Sequence, residues 1–308
     1  MTTTLSFAVT QAGEQITRDN VSWSALHSPT EISYGFRNTA PPASYGDDAK
    51  TFSQVNSAER AAVIATLAEW QSVANITFKA VNRESFTDFA VMLVANFFDQ
   101  KADGTTDSAA HAYLPATKNT AFSSSEGDLW FNVGADPYTD LSPGSYNYST
   151  ALHEIGHAIG LYHPGNYNAG PGQTLTYEKD AYYIEDTLQY TVMSYFPAAK
   201  TGANFTFEGK TYESLTPLRD DIAAIQRLYG ANMTTRTGDT TYGFNSNADD
   251  QAFHISPGEQ VVFCIWDAGG TNTLDLSGYD TDQVLDLRPG AFSNAGELKK
   301  NISIAWAQ

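Results

Sequence analysis

The stretch His153-Glu154-Ile155-Gly156-His157-Ala158-Ile159-Gly160-Leu161-Tyr162-His163 gathers three of the chain's six histidines. On a helix, His153 and His157 stand one turn apart, so both imidazoles leave the same face. Two such nitrogens can meet one zinc ion at about 2.0–2.1 Å. Glu154 follows the first histidine on the adjacent side, where a carboxylate reaches a water at the metal without taking a coordination position. Gly160 lets the chain leave the helix by a sharp turn that suits a residue free of Cβ strain. That turn returns His163 as a third ligand. Three protein ligands leave one position open, the mark of a catalytic rather than a structural zinc site. Surface histidines on an ordinary helix are the alternative, and Gly160 with His163 at these offsets argues against it.

A second run, Tyr190-Thr191-Val192-Met193-Ser194-Tyr195, follows at a distance. A lone Met reads as core. After a three-histidine motif, Met193 reads instead as the residue packed beneath the metal. The Tyr195 phenol is placed to bind the metal or the oxyanion of a reaction; an ordinary packed Tyr, in a chain with 17 of them, is the other reading.

These residues need a scaffold. Glu31–Phe36 alternates polar and apolar residues and predicts a strand. Asn56 with Glu59 three residues on predicts a helix start, and Val63, Leu67, Trp70 and Ala74 carry it amphipathically to about residue 73. Ile76–Val81, Phe89–Ala95, Ala110–Leu114 and Leu129–Val133 predict strands, the second apolar enough to be central. Ser149 or Thr150 is the expected cap of the metal-site helix, whose apolar side is Leu152, Ile155 and Ile159. Residues 164–190 form a long Gly-, Asn- and Tyr-rich segment of the kind that is usually functional. A third helix is expected from Thr216-Pro217 to Gly230. This order suggests an α/β or α+β half with a mixed sheet over residues 1–230. Beyond Gly230, short apolar runs at Ala252–Ile255, Val261–Trp266, Leu274–Leu276, Val284–Leu287 and Ile302–Ala305 predict an all-β domain over 231–308.

Length and composition set the limits. A chain of 308 residues, 42% apolar and 13% aromatic, has material for one large domain and a smaller one. A net charge of −18 opposes a nucleic-acid partner and an anionic membrane. Solubility accounts for most of that charge; calcium ligation is a second use for some carboxylates. The single cysteine, Cys264, excludes an intrachain disulfide and reads as a buried, inert thiol, and leaves no N-terminal Cys for a cysteine-switch form of latency. No basic region followed by an apolar stretch opens the chain, and no run reaches transmembrane length. Residues 1 to about 14 read as either a pro-segment remnant or a mature N-terminus.

The histidine motif with its Met-containing turn is the metzincin signature, and within that group the chain resembles the serralysins, secreted bacterial zinc metalloproteases. Pro164 directly after His163, the stretch 163–170 (HPGNYNAG), Met193-Ser194-Tyr195 and the run Leu218–Ala231 carry the resemblance. So do Thr235-Arg236-Thr237-Gly238-Asp239-Thr240 and Trp266-Asp267-Ala268-Gly269-Gly270, which are similar to the start of the family's β-domain. The likeness extends from about residue 12 to the end.

The resemblance implies an α+β metzincin catalytic domain with a mixed twisted sheet and active-site helix, then a small all-β domain like the start of a β-roll or β-sandwich. It implies a zinc endopeptidase of broad specificity, with Glu154 as base and Tyr195 as a further, movable zinc ligand. A substrate chain would lie as an added strand along an edge near Ala110–Leu114. It also implies calcium held by the carbonyls of Arg236, Gly238 and Thr240 with Asp267, Gly269 and Gly270; Asn272 stands where the family usually has Asp, which predicts a weaker site. A secreted, monomeric protein with protein substrates and a protein inhibitor is expected. The family's glycine-rich calcium repeats and C-terminal export signal are not in this sequence, so it reads as either a piece of a longer chain or a short form. A zinc-stabilised binding protein that does not cut is the competing reading; an intact Glu154 weakens it.

Overall fold

The computed structural model describes residues 5–81, 91–102, 106, 108–115, 125–135, 138–168, 170 and 173–306. Its main sheet is built from β1 (Thr30–Phe36), β2 (Ile76–Ala80), β3 (Val91–Phe97), β4 (Ala110–Ala112) and β5 (Leu129–Asn132). The strand order is β2-β1-β3-β5-β4. The first four of these are mutually parallel, and β4 runs antiparallel to β5 at the edge. Every residue of β3 is buried, which is why that strand is apolar rather than alternating except at Asn96, whose side chain donates to the buried Glu59 carboxylate. Phe89 and Ala90, expected in this strand, lie outside the described residues. Strands β4 and β5 end earlier than the sequence predicts, at Ala112 and Asn132.

The helix Ser57–Val73 crosses from β1 to β2, as parallel neighbours require. Asn56 caps it by accepting from Ala58 N and Glu59 N, and the Glu59 carboxylate accepts from Asn56 N. Trp70, fully buried, points from this helix to the active-site helix (Tyr146–Ala158), and its indole N–H donates to Leu152 O at 3.2 Å. The active-site helix starts one turn before the expected cap. Ser145 is the N-cap, its Oγ accepting from Tyr148 N, while the Thr150 hydroxyl turns back onto Tyr146 O. The helix Arg219–Tyr229 also differs at its start. Thr216 does not cap it, because its hydroxyl accepts from Cys264 N in a distant strand. Asp221 serves the helix end instead, accepting from Leu218 N.

A helix that the sequence did not announce, Val9–Ile16, packs against Arg219–Tyr229 with Gly13 over Ala223 and Ala224. Leu5 bridges to Tyr183, so the described N-terminal residues are part of the fold. The described residues of 164–190 are irregular backbone, bends and turns, with one helical turn at Tyr177–Asp180. A short hairpin, β6 (Thr206–Phe207) and β7 (Lys210–Thr211), follows.

Past Tyr229 the described residues hold strands and one 3-10 turn. Strands β8 (Thr241–Gly243) and β10 (Thr273–Asp275) pair in parallel; β9 (Phe263–Ile265), β11 (Phe292–Ser293) and β12 (Ile302–Ile304) form a three-stranded sheet. Two predicted strands fail here. The run Ala252–Ile255 opens in a 3-10 turn at Gln251–Phe253, and Val284–Leu287 makes a single bridge with Leu285 and Leu287 exposed. Alternation along residues 262–266 sorts the core: Phe263 and Ile265 enter one cluster with Tyr242 and Phe253, and Val262, Cys264 and Trp266 enter the cluster of the first half. The two halves therefore share apolar surface through β9.

Candidate active site

The three histidines converge. His153 Nε2 lies 3.1 Å and His157 Nε2 3.0 Å from His163 Nε2. Each ring is fixed by its other nitrogen: Nδ1 of His153 donates to Val192 O, that of His157 to Leu161 O and that of His163 to Tyr167 O, all at 2.7 Å. A carbonyl only accepts, so the proton sits on Nδ1 and each Nε2 presents a bare lone pair. Burial also holds the rings neutral, depressing His153 to about 4 and His163 to about 3 and His157 well below the ordinary range. Three lone pairs at such separations repel unless a cation lies among them. Two nitrogens on a tetrahedral zinc stand roughly 3.3 Å apart. The donor set, tautomers and spacing thus fit zinc. Among the described residues, this is the one tight cluster of histidine, cysteine or carboxylate ligand atoms.

Local structure explains the convergence. Gly160 has φ of +114°, and a Cβ there would lie 2.2 Å from Val21 O. Both the left-handed backbone and the close approach exclude side chains, so the sharp turn that the motif requires is present. The loop after the turn is tied down from the N-terminal side: Tyr162 N donates to Ile16 O, Arg18 to His163 O, and Gln15 to Pro164 O. Gly156 was not singled out by the sequence reading. A Cβ there would lie 2.6 Å from the Met193 sulfur. Met193 is fully buried with its sulfur against Gly156 of the active-site helix.

Two buried acids missed from sequence hold the Met turn. Asp221 accepts from the Thr191 hydroxyl at 2.5 Å and from Val192 N at 2.8 Å, and Val192 O is the acceptor for His153. Asp186 accepts from the Tyr167 phenol and the Ser194 hydroxyl, both at 2.7 Å. Nothing in the local pattern distinguishes these acids from solvated ones.

Glu154 is 5% exposed and its Oε2 has no hydrogen-bond partner among the described residues. Burial pushes its carboxyl up to about 8. The Tyr195 ring is 38% exposed, 4.5 Å centroid to centroid from His163 and nearly parallel to His153 at 5.8 Å. His153, Glu154 and Tyr195 line a groove of about 580 Å³ with Ala109 and Ala110, the latter in β4, an edge strand of the sheet among the described residues.

The residues expected to hold calcium also meet, and several of their polar atoms bond one another. Asn272 Oδ1 accepts from Thr240 N at 2.9 Å, which turns its Nδ2 to donate to Gly269 O at 3.1 Å. Asp267 accepts from Gly269 N and from the Tyr242 phenol. Thr240 Oγ1 donates to Gly238 O, and the Arg236 guanidinium to Trp266 O. The Gly269 carbonyl and each Asp267 oxygen accept one hydrogen bond apiece and keep a second lone pair that can face a cation. Asn272 is the weak member, because its amide carries no charge and turns an N–H donor towards Gly269 O.

Among the described residues no helix is long and apolar enough to cross a membrane. A family model described as Matrixin matches residues 43–182, and one described as Peptidase M10 serralysin C terminal matches residues 231–307. Serralysin C of Dickeya chrysanthemi is 40% identical over 304 residues, covering 97% of this chain and 60% of that protein. Metalloprotease AprA of Pseudomonas entomophila (strain L48) is 40% identical over 305 residues with the same coverage, and a serralysin of Photorhabdus sp. (strain Az29) is 41% identical over 257 residues. The chain spans about 60% of the length of the first two relatives. With one model over the histidine motif, the other over the C-terminal segment, and relatives aligned along nearly its whole length, the chain belongs to the serralysin family.

Proposed function

We propose that the chain is a zinc-dependent endopeptidase acting on protein substrates, with His153, His157 and His163 as ligands and Glu154 as base. The observation that carries this is the trio of bare, converging Nε2 lone pairs beside a buried carboxylate with a free oxygen, at the wall of an open groove. Zinc held there supplies Lewis acidity, polarising a carbonyl and making a water acidic near neutral pH. Glu154 takes the proton from that water and delivers it to the leaving amine. Tyr195 presents its phenol to the oxyanion and moves as it does so, which its exposure permits. An extended substrate adds to the free edge of β4, where main-chain hydrogen bonds bind it without regard to sequence. Small residues, Ala109, Ala110 and Ala135, on that wall favour broad specificity.

By its family the protein is expected to act outside the cell, as a monomer, with a protein inhibitor among its partners. Residues 1–230 would form the catalytic domain and 231–308 the β-domain. Mapping cleavage sites on a denatured protein tests the activity: many cuts with little sequence preference are expected, and none from zinc-loaded protein would favour the binding-protein reading. Tyr195→Phe is expected to lower kcat by about a hundredfold with zinc retained, the lower end of what the loss of one oxyanion donor costs; unchanged turnover would remove Tyr195 from the mechanism.

Calcium in the β-domain is a weaker proposal, given the neutral Asn272 and the direction of its amide. The expected result is a small rise in Tm on adding millimolar calcium to the zinc-loaded protein. Asn272→Asp replaces the Nδ2 donor by a second carboxylate oxygen facing Gly269 O, so calcium should raise its Tm by several degrees more. Equal shifts for the two proteins would show that Asn272 does not set calcium affinity.

A further inference from the structure

One buried carboxylate oxygen touches the supports of two different parts of the site. Asp186 is fully buried, and its Oδ1 accepts from both the Tyr167 phenol and the Ser194 hydroxyl at 2.7 Å. Its Oδ2 faces the backbone N–H of Tyr182 at 3.4 Å. Each hydroxyl belongs to a residue next to the chemistry. Tyr167 O accepts the Nδ1 proton of His163, and the Tyr167 ring stacks on the His163 ring at 13° between planes. Ser194 immediately precedes Tyr195, and its Oγ also accepts from Phe196 N, so the hydroxyl braces both sides of Tyr195. The Tyr167 and Tyr195 rings are themselves 5.3 Å apart between centroids.

We propose that Asp186 is a positioning residue that locks the third metal ligand and the Tyr195 segment into one register. It touches neither substrate nor metal. It acts through Tyr167 on the orientation of the His163 ring, and through Ser194 on the place from which Tyr195 departs and to which it returns. The Tyr195 half of this role rests on the reading of Tyr195 given above.

The two arms separate by substitution. Groups that orient a ligating histidine typically contribute about 10–100-fold to metal affinity or activity. Tyr167→Phe removes only the phenol, so zinc transfer to a chromogenic chelator should speed up about tenfold, with kcat at saturating zinc near that of the parent. Ser194→Ala should lower kcat several-fold, with KM and zinc release little changed. In a Tyr195→Phe background the same Ser194→Ala change should have no further effect on kcat, since the group it positions is gone. Asp186→Ala should show both defects, and Asp186→Asn, whose Oδ1 still accepts, should recover part of each.

A merely structural Asp186 would lower Tm in both variants and leave zinc release and kcat per zinc-loaded molecule unchanged; that result overturns the proposal. A Ser194→Ala effect that persists in full without the Tyr195 hydroxyl overturns the Tyr195 arm, as does unaltered zinc release in Tyr167→Phe for the His163 arm. If Asp186→Ala does not fold, the Tyr167 and Ser194 variants decide each arm alone. Parent-like turnover of Tyr195→Phe overturns the prior reading of Tyr195; Asp186 variants that then alter zinc release alone overturn the two-sided role and leave Asp186 a support of His163.

Discussion

Glu154→Gln is expected to lower kcat on peptide substrates by about 10³-fold while zinc stays at one equivalent, since a positioned general base contributes about 10²–10⁴-fold. The substitution keeps size and shape and removes the basic oxygen. Among the described residues Oε2 has no partner, so placing the amide nitrogen there breaks no hydrogen bond with them. The three ligand rings are oriented by the carbonyls of Val192, Leu161 and Tyr167, none of which Glu154 touches, so metal content should not change. Stability has a sign as well. In the metal-free protein the Glu154 carboxyl stands at about 8, above its ordinary value of 4.5, because it is buried. A carboxyl raised on folding imposes no cost below 4.5 and its full cost above about 8. Metal-free Glu154→Gln should therefore be at least as stable as metal-free parent at pH 8.5, and no different at pH 4. Zinc assay, casein cleavage and thermal melts check all three. Substantial casein cleavage by the pure, zinc-loaded variant would sink the role of Glu154.

The ligands were legible in the sequence because the chemistry is local. Two histidines one turn apart and a third after a glycine turn occupy a single helix end, so spacing alone brings them together. What was not legible acts across the chain. Asp221 reaches the Met turn from a helix far along the sequence, and its neighbour Asp220 pairs with Arg219; in sequence the two look like ordinary acids at a helix start. Asp186 is similar, as its partners Tyr167 and Ser194 lie on either side of it in a segment without periodicity. Gly156 escaped notice because a glycine within a helix reads as a cost of about 1 kcal/mol, and only the position of the Met193 sulfur explains it. The helix caps were misplaced for a related reason. Thr216 and Thr150 have capping chemistry, but a tertiary contact with Cys264 N uses the Thr216 hydroxyl, and Thr150 lies inside the helix, where its hydroxyl bonds back to Tyr146 O. The Val284–Leu287 run shows the limit of pattern reading: its alternation resembles a strand, yet the structure leaves it at the surface with one bridge.

Zinc removal should lower Tm by on the order of 5 °C at pH 7.5, with free zinc about a thousandfold above Kd in the loaded sample. The pH dependence of that gap is the sharper expectation. His153 titrates at about 4 and His163 at about 3 in the folded, metal-free chain, depressed from 6.5 by burial. A group depressed on folding contributes stability that is complete above 6.5 and lost as pH falls towards its folded value. For His153 alone the loss is of order 3 kcal/mol. The protons responsible bind the unfolded chain, which is the same whether or not the native site held zinc. Loaded and metal-free melting curves should therefore fall in parallel between pH 6.5 and about 4. The gap between them should close only below about pH 4, where protons begin to compete for the folded site itself. Glu154→Gln is the protein in which to measure this, because it cannot digest itself and carries no carboxyl at 154 to titrate. A gap that closes near pH 6.5 would mean that the imidazoles titrate as if exposed, and would contradict the buried, neutral, Nδ1-protonated arrangement on which the zinc assignment stands.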